Sequence, residues 1–261
     1  MRIATFNIWN KQTLWKERLR AICEEVRTIN ADILALQEVR TQIDAEKNIN
    51  VAQFIANQTN YPYCIFENYP DSPDEGLAFL SKIPISKKSV IWDANIEETN
   101  YCAIRITFQY KRFEFGVTNV HLNWRSYEIR EQQMKAVHDW ILEENINRQY
   151  EILCGDFNDN PESSIHHFLT HHDWLDIAQF KEKQCNMKVQ PTLDFKNNPY
   201  LHNSEIPSRY DWILLKTYKL LNLQIRNVKI FGNKPTIRAQ IVPSDHYGVF
   251  VEFNLPCINK Q

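Results

Sequence analysis

The chain has 261 residues, 43% of them hydrophobic and 24% charged. That balance excludes a disordered polypeptide, and the length allows a sizeable core without disulfide or metal staples. A formal net charge of −2 gives no global basic field for nucleic acid or an anionic membrane surface, although a local patch is still open.

Residues 2–8 read as a strand, too short and polar for a secretory signal, and no run approaches the ~18 apolar residues of a membrane span. A helix follows, with Leu19, Ile22, Cys23, Val26 and Ile29 at helical spacing, then the short apolar run Ile33–Leu36, as expected of a strand buried on both faces. A second helix is expected at 46–58. Strands dominate 62–121, at Leu77–Leu80, Ser89–Trp92, Cys102–Phe108 and Phe113–His121. The clearest helix spans 126–146, with Ile129, Met134, Val137, Trp140 and Ile141 on one side. Ile152–Gly155 reads as a buried strand and Pro161–Thr170 as a short helix opened by proline, with strands at 210–215, 221–231 and 247–253 closing the chain. With only five glycines, asparagine takes over many turn positions. No repeat or linker interrupts the pattern, so residues 1–261 read as one domain, an α/β sandwich of two mixed sheets face to face, flanked by helices. The six cysteines (Cys23, Cys64, Cys102, Cys154, Cys185, Cys257) show no CxxC pair, which argues against a zinc module and suits a reducing, cytoplasmic location.

Polar residues recur where apolar strand runs end: Asn7 after Ile3–Phe6, Gln37-Glu38 after Ile33–Leu36, His121 after Phe115–Val120, Asp156 and Asn158 after Ile152–Gly155. Asp211 opens Trp212–Leu215, and Ser244-Asp245-His246 precedes Tyr247–Val251. A carboxylate or imidazole at a strand end stands on a rigid element at a sheet edge, where active sites of sheet proteins are built. Taken singly, each is more ordinarily a turn residue or a solvated cap.

The ordered set Thr-Phe-Asn-Ile-Trp, Leu-Gln-Glu-Val, Asn-Val-His-Leu, Gly-Asp-Phe-Asn-Asp, Arg-Tyr-Asp-Trp-Ile and Ser-Asp-His-Tyr-Gly-Val, from residue 5 to 249, resembles the endonuclease/exonuclease/phosphatase superfamily. That group includes deoxyribonuclease I, exonuclease III-type repair enzymes, neutral sphingomyelinases and inositol polyphosphate 5-phosphatases. The resemblance implies a four-layer α/β sandwich and hydrolysis of phosphoric esters. It assigns the principal metal to Glu38 with Asn7 beside it, hard oxygen ligands that suit one or two Mg²⁺ (or Mn²⁺) ions. It implies that Asp156 is the general base, that Asn158 donates to a phosphoryl oxygen, and that His246, positioned by Asp211, braces a non-bridging oxygen. Asp245 takes a second metal or orients the site. Repair-type members place tyrosine where His121 stands, whereas the deoxyribonuclease I, sphingomyelinase and phosphatase branches place histidine. A carboxylate partner for His121 is then expected, with Glu75 the candidate and a plain loop carboxylate the alternative.

Three further features bear on the substrate. Arg105, opposite its apolar neighbours by alternation, is either a phosphate contact or a surface arginine. Trp124, three residues after His121, either stacks on a sugar or base or packs in the core. The histidines at 166, 167, 171 and 172 read as a solvated helix end. Slight acidity and the lack of a basic cluster favour a small phosphorylated metabolite, such as a sugar phosphate or nucleotide, as substrate. The alternative is a nuclease or DNA-end-processing phosphodiesterase, and the remote one a non-catalytic binding module. No obligate protein partner is evident. Loops at 40–50, 67–75, 123–128 and 186–208 are expected to set specificity.

Overall fold

The computed structural model describes residues 1–42, 49–70, 72–91, 103–144, 149–186, 188–218 and 224–255. Cys102, Cys257, Trp92, the first residues of the helix expected at 46–58, the last of that at 126–146, the first of the strand at 221–231, and parts of the loops at 40–50, 67–75 and 186–208 lie outside them.

In chain order the elements are β1 (Arg2–Asn7), α1 (Trp15–Ile29), β2 (Ile33–Arg40), α2 (Val51–Thr59), β3 (Tyr63–Tyr69), β4 (Ser72–Ser81), β5 (Lys87–Ile91), β6 (Ala103–Tyr110) and β7 (Phe113–His121). Then follow α3 (Tyr127–Glu144), β8 (Tyr150–Asp156), α4 (Ser164–His171), β9 (Leu175–Asp176), α5 (Ile177–Cys185), β10 (Asp211–Thr217), β11 (Gln224–Phe231) and β12 (Gly248–Asn254). They form two six-stranded sheets, β11-β12-β1-β2-β4-β3 and β5-β6-β7-β8-β10-β9. Both are mixed: β1 and β2 run parallel with α1 between them, and β7 and β8 run parallel with α3 between them. This is the expected α/β sandwich. None of the described helices is long and apolar enough to cross a membrane.

Period-2 alternation sorts the strands into layers. Ile3, Ile33, Ala35, Leu77 and Phe79 of the first sheet meet Ile104, Phe115, Ile152 and Ile213 of the second in the central core. Ala4, Phe6, Leu34 and Leu36 face outward onto α1 and α2, whose stripe of Leu19, Ile22, Cys23, Val26 and Ile29 is buried as expected. Val120, Leu153, Trp212 and Leu214 face outward onto Met134, Val137 and Ile141 of α3 and Leu169 of α4.

Several boundaries differ from expectation for local reasons. α4 starts at Ser164, capped by Ser163, whose side chain accepts from the His166 N–H, so Pro161 lies in the preceding turn. α5 was not anticipated; Asp176 caps it by accepting from the N–H groups of Ala178 and Gln179. His166 is buried against Asp176, 2.9 Å away, rather than solvated. β3 and β4 form a hairpin that occupies most of the region expected as a loop at 67–75.

Candidate active site

Asn7, His121, Asp156 and Asp211 all stand on inward-facing positions at one end of the two sheets. In the registers, Asn7 lies opposite Gln37, His121 opposite Asp156, and Asp156 opposite Asp211. Gly155 permits the β7–β8 pairing that sets His121 opposite Asp156: at φ +137° it lies so close to the Val120 carbonyl that any Cβ would strike it. β2 and β4 lose register between Leu36 and Val39, and Glu38 takes φ +53°. This bulge keeps Gln37 inward and turns Glu38 out of the ladder toward the cleft. A buried amide link joins the sheets just behind the site. Gln37 donates to Thr5 Oγ1 (2.9 Å) and to Asn119 Oδ1 (2.6 Å), and Asn119 donates to the carbonyls of Leu36 and Ala78.

Asp156 is the hub. Its Oδ1 accepts the Asn158 N–H at 2.8 Å, and its Oδ2 accepts Asn7 Nδ2 at 2.9 Å. The Nε2 atoms of His121 and His246 stand 3.7 and 3.8 Å from the same Oδ2, too far for a direct hydrogen bond and close enough to share an intervening oxygen. His246 Nδ1 meets Asp211 Oδ2 at 2.9 Å, as the expected pair. Burial alone would lower the His246 imidazole, but Asp211 and Asp156 outweigh it and hold its pKa well above the ordinary value. With Nδ1 on Asp211, the ring directs Nε2 into the site. Burial raises Asp211, with Asp156 adding to the shift and His246 opposing it.

Asn7 departs from the ligand role expected of it. Its Oδ1 accepts the Trp9 N–H at 2.9 Å, while Nδ2 bridges Glu38 Oε1 (3.0 Å) and Asp156 Oδ2. It thus aligns two carboxylates instead of presenting an oxygen. Glu38 Oε2 accepts the Asn10 N–H at 2.9 Å, leaving lone pairs on both oxygens for a cation. Burial pushes Asp245 up to about 7, with His246 opposing and Glu38 adding to the shift. Asn158 already gives its side-chain N–H to the Leu122 carbonyl at 2.8 Å, so one further N–H is left for a substrate oxygen.

Glu75 is not what His121 binds at Nδ1. That atom meets the buried Tyr69 hydroxyl at 2.9 Å, and Glu75 instead accepts from Asn10 Nδ2 at 2.9 Å. Burial, together with neighbouring Glu38, raises Glu75. Arg105 is not brought to the site at all. It lies on the outer face of the second sheet, fully buried in an ion pair with Glu151 that crosses over Gly116. Trp124 is 58% exposed on the loop after β7, with the Arg125 guanidinium 4.9 Å from its ring.

A divalent cation suits this donor set. The ligand atoms of Asp156, Asp211 and His246 lie within 4.8 Å of one another. The Asp211–His246 hydrogen bond already occupies two of those groups, however, which leaves Glu38, Asp245 and Asp156 as oxygen donors. Burial raises Asp245, Asp211 and Glu75, and a neighbouring carboxylate adds to each shift, a charge imbalance that a hard cation would relieve.

The sequence reading missed Arg18. All five of its N–H groups go to backbone carbonyls: Nε to Thr13, Nη1 to Ile8 and Pro243, and Nη2 to Trp9 and Lys11. The guanidinium sits 4.5 Å from the Trp9 ring and fastens the loop carrying Asn10 to the turn before Ser244-Asp245-His246. Its signal was a charge on the apolar stripe of α1, one turn before Ile22.

Comparison with known proteins speaks to the fold and the family. A Caenorhabditis elegans protein, "Uncharacterized protein F14F9.5", is 25% identical over 159 residues, 59% of this chain and only 46% of that protein. The fold is similar to that of D. rerio TDP2 complexed with single-strand DNA product, with a TM-score of 0.78, 18% identity, and 97% and 98% of the two chains covered. It is also similar to the Bacteroides thetaiotaomicron mannosyl-6-phosphatase Bt3783, with a TM-score of 0.74, 19% identity, and 98% and 100% covered. At these identities the two structures speak for the fold. Membership comes from a sequence profile matching residues 4–246: the chain belongs to the Endonuclease/Exonuclease/phosphatase family, a family of metal-dependent phosphoesterases.

Proposed function

We propose that the protein is a Mg²⁺-dependent phosphatase, able to use Mn²⁺, that acts on a small phosphorylated metabolite such as a sugar phosphate or nucleotide. The observation that carries this reading is a cleft of about 580 Å³ sharing Asn10 with the Glu38 site. Its size suits a small molecule, and among its described lining residues the one arginine, Arg40, is offset by Asp74. A groove for a phosphate backbone would instead need clustered cations.

Glu38 and Asp245 would hold the metal, which would supply charge neutralisation at the phosphoryl oxygens when bound. Asp156 orients the attacking water and takes its proton at Oδ2. His246 gives its Nε2–H to a non-bridging oxygen as charge builds, with Asp211 fixing the ring at Nδ1. His121, fixed at Nδ1 by Tyr69, faces the same oxygen from the other side. Asn158 donates its remaining side-chain N–H, and Asn7 keeps Glu38 and Asp156 aligned. A cytoplasmic location goes with this reading, supported by Cys23, Cys64, Cys154 and Cys185, all free thiols.

A second reading, a nuclease or DNA-end-processing phosphodiesterase, is favoured by Trp124 and Tyr127, 58% and 56% exposed, as stacking surfaces for bases. The deciding test is inorganic phosphate release from a panel of phosphorylated sugars and nucleotides with Mg²⁺, with EDTA and Asp156→Asn as controls. Release from one compound class, abolished by both controls, is expected. Silence across the panel together with cleavage of single-stranded DNA ends would overturn the phosphatase in favour of the second reading.

A further inference from the structure

Four consecutive carbonyls, those of Val242, Pro243, Ser244 and Asp245, lead into His246, and side chains from distant segments hold each of them. The Tyr200 hydroxyl donates to Val242 at 2.8 Å, and Arg18 Nη1 donates to Pro243 at 3.2 Å. Asn198 holds the other two, its Nδ2 donating to Ser244 at 3.0 Å and to Asp245 at 2.8 Å. Asn198 is buried and stands in the loop between α5 and β10, part of the region expected to set specificity.

The Asn198 amide is itself fixed. Its Oδ1 accepts the Tyr200 N–H at 3.0 Å, and its backbone N–H donates to the Asp194 carbonyl at 2.9 Å. Both side-chain N–H groups are therefore committed to the turn and the oxygen to its own loop. The same loop is fastened beyond the turn as well. The Thr192 carbonyl accepts the Tyr247 N–H at 2.7 Å, and Leu193 makes a β-bridge with His246.

The two carbonyls that Asn198 takes are a particular pair. Each peptide unit is planar, so a residue's conformation reduces to two rotations between the planes on either side of its Cα. The Ser244 carbonyl lies in the plane before the Asp245 Cα, and the Asp245 carbonyl lies in the plane after it. One side chain grips both, which sets the angle between them. That angle fixes the direction in which the Asp245 carboxylate leaves the chain and the point from which His246 starts. Ser244 refers the same turn to β1, its hydroxyl donating to the Asn7 carbonyl at 2.7 Å.

We infer that Asn198 is a positioning residue for phosphoester hydrolysis: by gripping both peptide planes of Asp245, it holds that carboxylate and the His246 imidazole in register with each other. The inference rests on the roles proposed above for Asp245 and His246 and adds the group that orients both.

The test reads Mn²⁺ binding without substrate, from the free-ion signal in electron paramagnetic resonance. It also reads steady-state hydrolysis of p-nitrophenyl phosphate or bis(p-nitrophenyl) phosphate, whichever the parent cleaves, at saturating Mn²⁺. Asn198→Ala is expected to raise the Mn²⁺ Kd and to lower kcat by about tenfold or more each. KM should stay within about twofold, because the imidazole acts on charge that builds only in the transition state. Asn197→Ala removes a 2.8 Å contact with Asp194 in the same loop and is expected to leave Kd and kcat within about twofold. In an Asp245→Asn background, Asn198→Ala should add less than about twofold to the Mn²⁺ loss, as for two residues acting on one ligand. Should Asn198→Ala not fold, Asn198→Ser, which keeps a hydroxyl donor, reports on the same quantities. A folded Asn198 variant with Kd and kcat within about twofold of the parent would overturn the inference. So would an equal loss in Asn197→Ala, or a full additional loss in the Asp245→Asn background. An Asp245→Asn protein that binds Mn²⁺ as the parent does would instead refute the metal role of Asp245, and the kcat of Asn198→Ala then decides the inference through His246 alone.

Discussion

Replacing Arg105 with methionine separates a phosphate contact from a buried structural charge. Arg105 and Glu151 are both fully buried, paired on the outer face of the second sheet, whereas His121 and Asp156 occupy inner-face positions. Arg105 lies opposite Thr118 and so stands three residues back from His121, about 10 Å along the strand and through the sheet from it. Methionine fills much of the same volume but leaves the Glu151 carboxylate buried without its cation, which costs about 3–5 kcal/mol. For a protein of this size each kcal/mol lowers Tm by about 2–4 °C, so a drop of about 6–20 °C is expected. Thermal unfolding and urea titration read the loss, and steady-state kinetics at 20 °C on the surviving fold should show KM within about twofold of the parent. Adding Glu151→Leu should recover most of the stability, because removing both charges is near neutral where removing one is not. An Arg105→Met protein that melts within about 2 °C of the parent while KM rises tenfold would refute this placement and return Arg105 to the substrate.

Further outcomes follow from the site. Glu38→Ala is expected to weaken metal dependence and activity together, and wild-type turnover at low Mg²⁺ would sink its assignment as ligand. Asp156→Asn keeps the shape of the hub and removes the base; a fall in kcat smaller than ~10²-fold would argue against that role. Tyr69→Phe removes the hydroxyl on His121 Nδ1 and is expected to lower kcat about tenfold with little change in KM; an equal change in both would mean the hydroxyl serves binding. Asp176 supplies a pH prediction outside the site. Burial would raise its pKa, but His166 and Arg209 outweigh that and hold it well below the usual carboxylate range. A depressed carboxylate stabilises the fold above its unfolded value near 4 and loses that contribution as pH falls through the folded one. Asp176→Asn should therefore cost about 2–4 kcal/mol at pH 7 and flatten the acid limb of stability below about pH 4, read by denaturant titration across pH.

Much of the site was legible because each key residue ends a run whose alternation also tells which way it faces. Trp212, next to Asp211, is accordingly in the outer core, and Asp211 is inward. The partners were harder to see. His121 meets Tyr69 through a strand whose mostly half-buried pattern shows no clean alternation, so its terminal tyrosine carried no signal. Asn7 carried the right address but not its orientation, since whether an amide presents oxygen or nitrogen depends on carboxylates 31 and 149 residues away. Arg105 was correctly placed opposite its apolar neighbours. Alternation could not say, however, that α3 covers that face or that Glu151, two strands over, supplies a counter-charge across Gly116. Glu38 sits on a bulge, where the period-2 rule fails, and only its motif announced it.

The chain's first strand is clasped by its last, with β1 between β2 and β12 and Ile3 opposite Val251. During synthesis, therefore, β1 waits with one edge unpaired until β12 has emerged. The carbonyls of Ile8 and Pro243 likewise meet on Arg18 only then. Hydrolytic competence thus waits for the segment that carries His246 and β12. A nascent or prematurely terminated chain carries Asn7, Glu38, His121 and Asp156 without the imidazole that completes them, and exposes a strand edge that chaperones or proteases can recognise.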